Sequence, residues 1–267
     1  GKQVVACSYE LDEDNTVRFK VHNYSPASTL VIDPTLIFSS FTGSPANQYG
    51  FTATPGPDGS LYSGGIVFES GFPTTTGAYD SVYTPGGPQG VDIGILKFSA
   101  NNAQRVYATY IGGTNDDLPH SLFCDPQGNL VIMGRTYSGD YPGTRHGDGG
   151  NSDILVTKLN ATGTALIGSM RIGGEENDGF NIEDQFVNSG QGINSLLRYY
   201  GDESRGEVIL DGAGNIYVAA QTQSPTFPVV NGFQTALAGG QDGVLIKIDP
   251  NCTNIIWSSY IGGAGDD

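Results

Sequence analysis

The amino-acid sequence predicts an all-β fold made of repeated four-stranded units. The first indication is composition, because 40 Gly and 14 Pro among 267 residues, together with plentiful Tyr and Phe, favour short strands joined by tight turns. The second is a set of short motifs that recurs in the same order along the chain. Tandem recurrence is typical of architectures in which each unit buries its apolar surface against its neighbours.

The charge and hydropathy of the chain exclude several partners. A formal net charge of −16 and a pI near 4.3 argue against nucleic acid, whose binding depends on clustered Lys and Arg. No apolar run approaches the ~18 residues of a transmembrane helix, and the opening GKQVVACSYE lacks the pattern of a signal peptide. Because the chain starts at Gly1 and stops inside a repeated motif, we expect a piece of a longer protein.

The three cysteines predict neither a disulfide framework nor a zinc site. Cys7, Cys124 and Cys252 are far apart, odd in number and form no Cys-x-x-Cys pair. Cys124 lies in the strand-like run SLFCD, where we expect a small buried apolar side chain.

The first repeated motif is an apolar run followed by Ile-Gly-Gly and acidic residues. Phe41, Tyr110, Arg171 and Tyr260 fall on equivalent positions within it. This pattern predicts a strand that leads into a tight turn. The copies are RVYATYIGGTNDD (105–117), ALIGSMRIGGEEND (165–178), NIIWSSYIGGAGDD (254–267) and the degenerate TLIFSSFTGSPAN (35–47).

Three further motifs follow in constant order. They are a Gly-rich turn that enters an apolar strand, an aromatic-Pro pair, and a strand in which Lys97, Lys158 and Lys247 are in register. Agreement of order and register indicates a true repeat. The copies are GPDGSLYSGG (56–65), DPQGNLVIMG (125–134) and DGAGNIYVAA (211–220); ESGFPTT (69–75), SGDYPGT (138–144) and SPTFPVV (224–230); VDIGILKFSA (91–100), SDILVTKLNA (152–161) and QDGVLIKIDP (241–250).

Each repeat predicts four antiparallel strands, which include residues 129–134, 153–159 and 242–248. Four such strands cannot bury both faces alone, so we expect the units to stack as blades of a β-propeller. The repeats are about 60 residues long, against roughly 40–50 for familiar blades, and the surplus falls in the loop with the aromatic-Pro pair. The expected blades are 36–105, 106–165 and 166–254, with an insertion at 179–206 and a fourth blade begun at 255–267. Because rings close with four to eight blades, further blades are expected.

The motifs resemble the bacterial β-propeller repeat called SBBP, over about residues 36–267. The resemblance rests on the patterns Y-I-G-G-x-x-D-D, D-x-x-G-N-x-Y-V, T-x-S-x-x-F-P and D-x-x-x-x-K-L. The first copy departs by FTGS for YIGG, and the third by Arg171 and its insertion. Such repeats abound in large surface and secreted proteins of Bacteroidota. The resemblance therefore implies an extracellular or outer-membrane-associated location, export by type IX secretion, and roles in adhesion or gliding motility.

Residues 1–35 differ from the repeats. VVACSYEL and TVRFKVHNY alternate between apolar and polar residues as β-strands do. The stretch resembles the end of the β-rich domain that often precedes such repeats. We therefore expect residues 1–35 to be the C-terminal tail of an upstream domain.

Acidic side chains cluster after each Gly-Gly pair. Two interpretations are open: the acids cap turns and solubilise one rim, or they bind calcium, which takes six to eight oxygen ligands. Calcium is the one cofactor for which the sequence offers candidate ligands. They are Asp116, Asp117, Glu175, Asp178, Asp266 and Asp267.

No motif in the sequence predicts catalysis. His22, His120 and His146 form no metal-binding motif, and we expect His146 in an exposed loop. Neither Gly-x-Ser-x-Gly nor a phosphate-binding loop occurs, and a glycosidase pair chosen among so many carboxylates would be arbitrary. We therefore expect a protein that is not an enzyme and assign no catalytic residue.

The insertion at 179–206 is the most individual segment. It carries more apolar side chains than a solvated loop needs, and two interpretations stay open: it covers its own blade, or it presents a surface to a partner. The candidate contact residues are Phe186, Leu197, Arg198, Tyr199 and Tyr200.

Two single residues complete the candidates. Trp257, the only tryptophan, could stack on a sugar, although its position on a strand favours packing. Ser81 lies in Asp80-Ser81-Val82, which matches the short pattern at which Bacteroidota O-glycosylate exported proteins.

These observations predict a non-enzymatic extracellular or cell-surface module, a rigid scaffold or adhesion domain for protein or glycan. Its expected partners are another protein or a glycan at the cell surface and other domains of the same long chain, not nucleic acid. The alternatives are a carbohydrate-active enzyme and a calcium-stabilised structural filament.

Overall fold

The fold is all-β, as predicted. The computed structural model describes residues 5–11, 17–25, 27–28, 39–84, 86–101, 104–180, 182 and 206–265, and no helix occurs among them. Accordingly, this part of the chain contains no helix long and apolar enough to cross a membrane. The chain divides into two compact units, Gly1–Ser39 and Ser40–Asp267.

The first unit contains an antiparallel pair of strands. Strands β1 (Cys7–Leu11) and β2 (Val17–Val21) pair with Cys7 opposite Val21. Ser8 Oγ of β1 and Nε2 of His22, the residue after β2, share a hydrogen bond of 3.0 Å.

The described part of the second unit forms three open sheets, which are antiparallel except for the parallel pair of β9 with β11. The first sheet has the order β3-β4-β5-β6, with β3 (Gln48–Pro55), β4 (Leu61–Val67), β5 (Asp92–Phe98) and β6 (Arg105–Ile111). The second has the order β7-β8-β10-β11-β9, with β7 (Asp117–Cys124), β8 (Leu130–Thr136), β9 (Thr144–His146), β10 (Asp153–Leu159) and β11 (Leu166–Ile172). The third has β14 (Ile216–Thr222), β15 (Asp242–Ile248) and β16 (Ile255–Ile261) in that order, and both β12 (Asp178–Gly179) and β13 (Glu207–Leu210) pair with β14.

The predicted strands are present, but the sheets are offset from the predicted blade ranges by one strand. Residues 129–134, 153–159 and 242–248 coincide with β8, β10 and β15. The strand before each Ile-Gly-Gly completes a sheet instead of opening one, so β6 joins β5 and β16 joins β15. Residues 255–261 therefore belong to the third sheet.

An aspartate closes the hairpin turn within each of the last two sheets. Asp125 Oδ1 accepts the N–H groups of Gln127 and Asn129 at 2.9 and 2.8 Å. Asp211 accepts those of Ala213 and Asn215 at 2.9 Å each. These turns fix the register of β7 with β8 and of β13 with β14.

Neighbouring sheets pack face to face and share their apolar cores. Successive residues of a strand point to opposite faces, so Leu130 and Ile132 of β8 face the first sheet while Val131 and Met133 face the third. The core between the first two sheets contains Tyr62, Ile93, Ile95, Tyr107, Ile111, Leu122, Leu130, Ile132, Tyr141, Leu155 and Leu159. The second sheet and the third share the core of Val131, Met133, Ile154, Val156, Met170, Ile172, Phe180, Val208, Ile216, Val218, Ala220, Phe227, Val244, Ile246, Ile248, Cys252 and Tyr260.

The loop with the aromatic-Pro pair runs along the outer strand of each sheet. In the first sheet the Thr75 N–H donates to the Ala108 carbonyl at 3.0 Å, and the Tyr110 N–H donates to Asp80 at 3.0 Å. In the third, Val230 and Ser258 exchange backbone hydrogen bonds. The longer loop of this repeat thus pairs with an edge that would otherwise expose backbone groups.

Candidate functional site: the junctions between sheets

The turn that joins the first sheet to the second is closed by the carboxylate of Asp117. The Gly113 N–H donates to Asp117 Oδ2 at 2.7 Å, and the Ser138 hydroxyl donates to the same oxygen at 2.8 Å. Thr136 is the register partner of Asp117 and lies opposite it across the sheet. Desolvation outweighs these donors and raises the pKa of Asp117 to about 6.

The junction between the second and third sheets repeats this arrangement. The Gly174 N–H and the Ser224 hydroxyl donate to Asp178 Oδ2 at 2.8 and 2.9 Å, and the Thr222 hydroxyl donates to Asp178 Oδ1. Desolvation likewise raises the pKa of Asp178 to about 6. One amide and one serine hydroxyl therefore hold the acid at both junctions, and a threonine hydroxyl is added at the second.

The turn that leads into the first sheet lacks the acid and also lacks the hydroxyls. Gln48 stands at the position of the acid, opposite Val67 in the register, and Glu69 stands at the position of the serine. Because the acid and its donors are lost together, we infer that the three side chains act as one unit.

The two glycines ahead of each junction acid are required because neighbouring side chains occupy the space that a Cβ would need. A Cβ on Gly112 would lie 2.6 Å from Asp92 Oδ1, and one on Gly113 would lie 2.6 Å from the Ser138 Cβ. A Cβ on Gly173 would be closer still, 2.0 Å from the equivalent carboxylate of the second sheet. A larger residue at these places would displace the ends of buried strands.

A second buried acid faces these glycines, at the first position of β5, β10 and β15. Desolvation, with a smaller contribution from Asp117, raises the pKa of Asp92 to about 7. Within the described structure, Asp92 Oδ1 and Asp242 Oδ1 are buried without a hydrogen-bond partner. In the second sheet the equivalent Asp153 has an ion pair instead, with its Oδ2 2.9 Å from Arg171 Nε.

Arg171 stands where the other repeats have tyrosine, and it makes the same hydrogen bond to a loop carbonyl. Its Nη1 donates to the Ser138 carbonyl at 2.6 Å, whereas the Tyr260 hydroxyl donates to the Ser224 carbonyl at 2.7 Å. The guanidinium therefore serves both the loop carbonyl and the buried acid.

Among the described candidate calcium ligands, most accept hydrogen bonds from N–H or hydroxyl groups of the protein itself. Besides Asp117 and Asp178, Asp116 accepts the N–H groups of Gln89 and Val91 at 3.1 Å each and so fastens the loop ahead of β5. Glu175 is exposed. In the described part of the chain no group of three or more His, Cys, Asp and Glu side chains is placed to hold a metal ion. Calcium binding stays a prediction. The candidates outside the described residues are Asp266 and Asp267.

The remaining candidates are dispersed. Ser81 is exposed, in a loop where the Val82 N–H donates to Asp80 Oδ1 at 2.8 Å. Trp257 is half-buried on β16, with its ring centroid 5.9 Å from that of Phe233. The contact residues proposed in the insertion lie outside the described residues; they are Phe186, Leu197, Arg198, Tyr199 and Tyr200.

The prediction for His146 is wrong, and that for Cys124 holds only in part. His146 ends β9, which pairs in parallel with β11, and burial lowers the pKa of its imidazole. Cys124 is half-buried and Cys252 fully buried, while Cys7 is exposed, and all three are free thiols.

The hydroxyl partners of the junction acids were not predicted from the sequence. The T-x-S pattern was visible in the second and third repeats as Thr136 with Ser138 and Thr222 with Ser224. Its joint absence with the acid from the first repeat was the signal that could have linked them.

Stacked antiparallel sheets joined by these junctions define an all-β protein. A family model described as a domain of unknown function, DUF7948, matches residues 1–35. That range is the segment that the sequence sets apart from the repeats. No curated protein matches the chain.

Proposed function

We propose that the chain is a non-enzymatic module of an extracellular or cell-surface protein, a rigid scaffold that presents loops to protein or glycan. The observation that carries the proposal is the use of the described junction acids. Asp117 and Asp178 accept hydrogen bonds from their own turns, and Asp116 accepts them from the loop ahead of β5. Their oxygens therefore stabilise the connections between sheets, which is the work of a scaffold.

Within this proposal the three sheets are blades of a propeller of the SBBP type. Two features support it. Adjacent sheets share face-to-face cores, and the outer strands β6 and β11 each pass through a Gly-Gly turn into the first strand of the next sheet. Successive blades of a propeller require that connection and that packing.

Surface loops are the places where such a scaffold would carry its partners. The exposed loop around Ser81 and the apolar insertion at 179–206 are the two candidates. The resemblance to surface and secreted proteins supports the extracellular location.

A glycan array combined with a panel of sugar substrates tests the proposal. Binding without turnover is expected, whereas hydrolysis of any substrate would favour the carbohydrate-active enzyme. The double variant Tyr199→Ala/Tyr200→Ala should lose binding while its melting temperature stays unchanged. Phe233→Ala, which removes an exposed aromatic outside the insertion, is the matched control and should bind normally.

A calcium-stabilised scaffold is the second candidate, and the unpartnered carboxylate oxygens favour it. Asp92 Oδ1 and Asp117 Oδ1 are buried without a hydrogen-bond partner in the described structure, beside the same glycine turn. A bound cation would supply the missing partner. Added EDTA should then lower the melting temperature and excess calcium should restore it; an unchanged melting temperature excludes this candidate.

A further inference from the structure

The outward face of the third sheet carries large side chains that are only half-buried. Between β14 and β15, Tyr217 pairs with Lys247 and Ala219 pairs with Leu245. On β16, Trp257 is the register partner of Lys247. The Lys247 Nζ lies 5.1 Å from the centroid of the Tyr217 ring. We call these five residues the open face. No sheet in the described part of the chain packs on it.

The first sheet has the same face, but there it is covered. Lys97 Nζ lies 4.9 Å from the centroid of the Tyr62 ring, and both residues are buried. The second sheet provides the cover: the Tyr62 hydroxyl donates to the Gly128 carbonyl of its hairpin turn at 2.8 Å. Ile95, equivalent to Leu245, lies in the core that the two sheets share.

The lysine of this face also contacts the covering sheet at the next interface. Lys158 of the second sheet is 6% exposed, and its Nζ donates to the Pro250 carbonyl at 2.9 Å. Pro250 lies in the turn between β15 and β16 of the third sheet. Both lysines at covered faces are therefore buried, and Lys247 alone of the three is half-exposed.

Side-chain size is matched across each covered face. Tyr107 on β6 lies against Gly163, where a Cβ would come within 2.5 Å of the tyrosine ring. At the second interface the strand residue is Gly168, and the turn residue is Cys252. Gly163 and Cys252 occupy the same turn position and share a positive φ, of 70° and 56°. A large strand residue thus meets a glycine at the first interface, whereas at the second the glycine on the strand lies against the backbone of Asn251 and Cys252.

We propose that the open face binds a further four-stranded unit of the same repeat, whose last turn carries glycine opposite Trp257. Trp257 occupies the strand position of Tyr107 and Gly168 and is larger than either. The unit that fits therefore resembles the second sheet, with Gly163, and not the third, with Cys252. Lys247 donates to a carbonyl of that turn, as Lys158 does. This partner for the open face rests on the proposed stacking of the repeats as blades, but not on what the loops bind.

Extending the chain with a copy of its own second sheet tests the proposal. Residues 118–172 are appended after Asp267, which follows Gly262 at the spacing at which Asp117 follows Gly112. Trp257 is the only native tryptophan, so its fluorescence reports directly on the open face. Docking of the copy should shift the Trp257 emission to the blue and protect it from acrylamide.

Two variants show whether the appended copy packs on the open face or is only tethered to the chain. Replacing Gly163 of the appended copy by Cys should abolish the shift, because the added side chain meets Trp257. Leu245→Asp should abolish it as well, yet leave the melting temperature of the unextended chain nearly unchanged. Emission that stays as in the unextended chain would overturn the proposal, and so would an equal shift from the copy with Cys. A blue shift of the unextended chain that grows with concentration and accompanies a dimer mass would also overturn it, in favour of a second copy.

Discussion

The second and third sheets share one repeat sequence but differ in burial. Every residue of β10 is buried, because the sheet has a neighbour on each side, whereas β15 alternates between buried and half-exposed residues. Val156 and Leu245 occupy the same position of the repeat, yet only Val156 is fully buried.

This difference shows that the additional neighbouring sheet accounts for the fuller burial of β10 relative to β15. Fully burying one Val, Leu or Ile side chain stabilises a fold by roughly 1.5–3 kcal/mol. The second sheet gains this on two faces and the third on one. The stability of each sheet therefore depends on its position in the stack.

The largest expected effect comes from a charge at the equivalent position of the two sheets. Val156→Asp places an unpaired carboxylate in the core between the second and third sheets, so it should lower the free energy of unfolding by more than about 4 kcal/mol. Leu245→Asp should cost about 1 kcal/mol or less, since its side chain can reach water. Urea denaturation measures both; equal losses would contradict the comparison.

Removal of a junction acid should have the next largest effect. Asp178→Ala leaves the Gly174 amide and the Thr222 and Ser224 hydroxyls without their acceptor, so we expect a loss of about 3 kcal/mol. Gln48→Ala, at the position where the first sheet lacks the acid, should cost well under half of this. Thermal and urea unfolding of the two variants compare the junctions directly. Similar losses would show that the acid is not the stabilising element.

Exchanging the side-chain sizes of Tyr107 and Gly163 tests whether the interface between the first two sheets depends on a match of large with small. Gly163→Cys should destabilise the chain by about 2 kcal/mol, because the new side chain collides with Tyr107 and the backbone has positive φ. In the Tyr107→Gly background, Gly163→Cys should lower the free energy of unfolding by less than it does in the original chain. The double variant then has the same residues as the second interface, where Gly168 and Cys252 occupy these positions. A double-mutant cycle should therefore give a coupling free energy of about 1–2 kcal/mol. Additive costs would refute the size match.

The smallest effect expected is a dependence of stability on pH. Burial raises the pKa of Asp92 to about 7 and those of Asp117 and Asp178 to about 6, above the ordinary value of 3.8. A raised pKa in the folded state means that stability is full below the unfolded pKa and is lost as pH rises through the folded value.

Melting temperature at constant ionic strength should therefore fall as pH increases from about 5 to about 8. At lower pH the hairpin acids act in the opposite sense. Hydrogen bonds hold the pKa of Asp125 and Asp211 below the ordinary value of 3.8, so their contribution to stability is lost on acidification. Asp92→Asn should flatten the decline near neutral pH. A melting temperature that rises between pH 5 and 8 would contradict the assignment.

Strand positions could be predicted from the sequence, because alternation and turn residues are local properties. The limits of the sheets could not be predicted, because a tandem repeat has no intrinsic start. Only the pairing of β6 with β5 shows that the strand before Ile-Gly-Gly closes a sheet. His146 was misplaced for a related reason, since its pairing with β11 depends on a distant strand. The match of Tyr107 with Gly163 is likewise invisible in sequence, because the two lie on different sheets.

The central claim is that neighbouring sheets stabilise each other through shared cores. Hydrogen exchange of the Val156→Ala variant tests it most directly, because Val156 lies on β10 but faces the third sheet. We predict that exchange of the β15 amides accelerates together with that of the β10 amides. Exchange that accelerates in β10 while β15 retains its original protection would contradict the account.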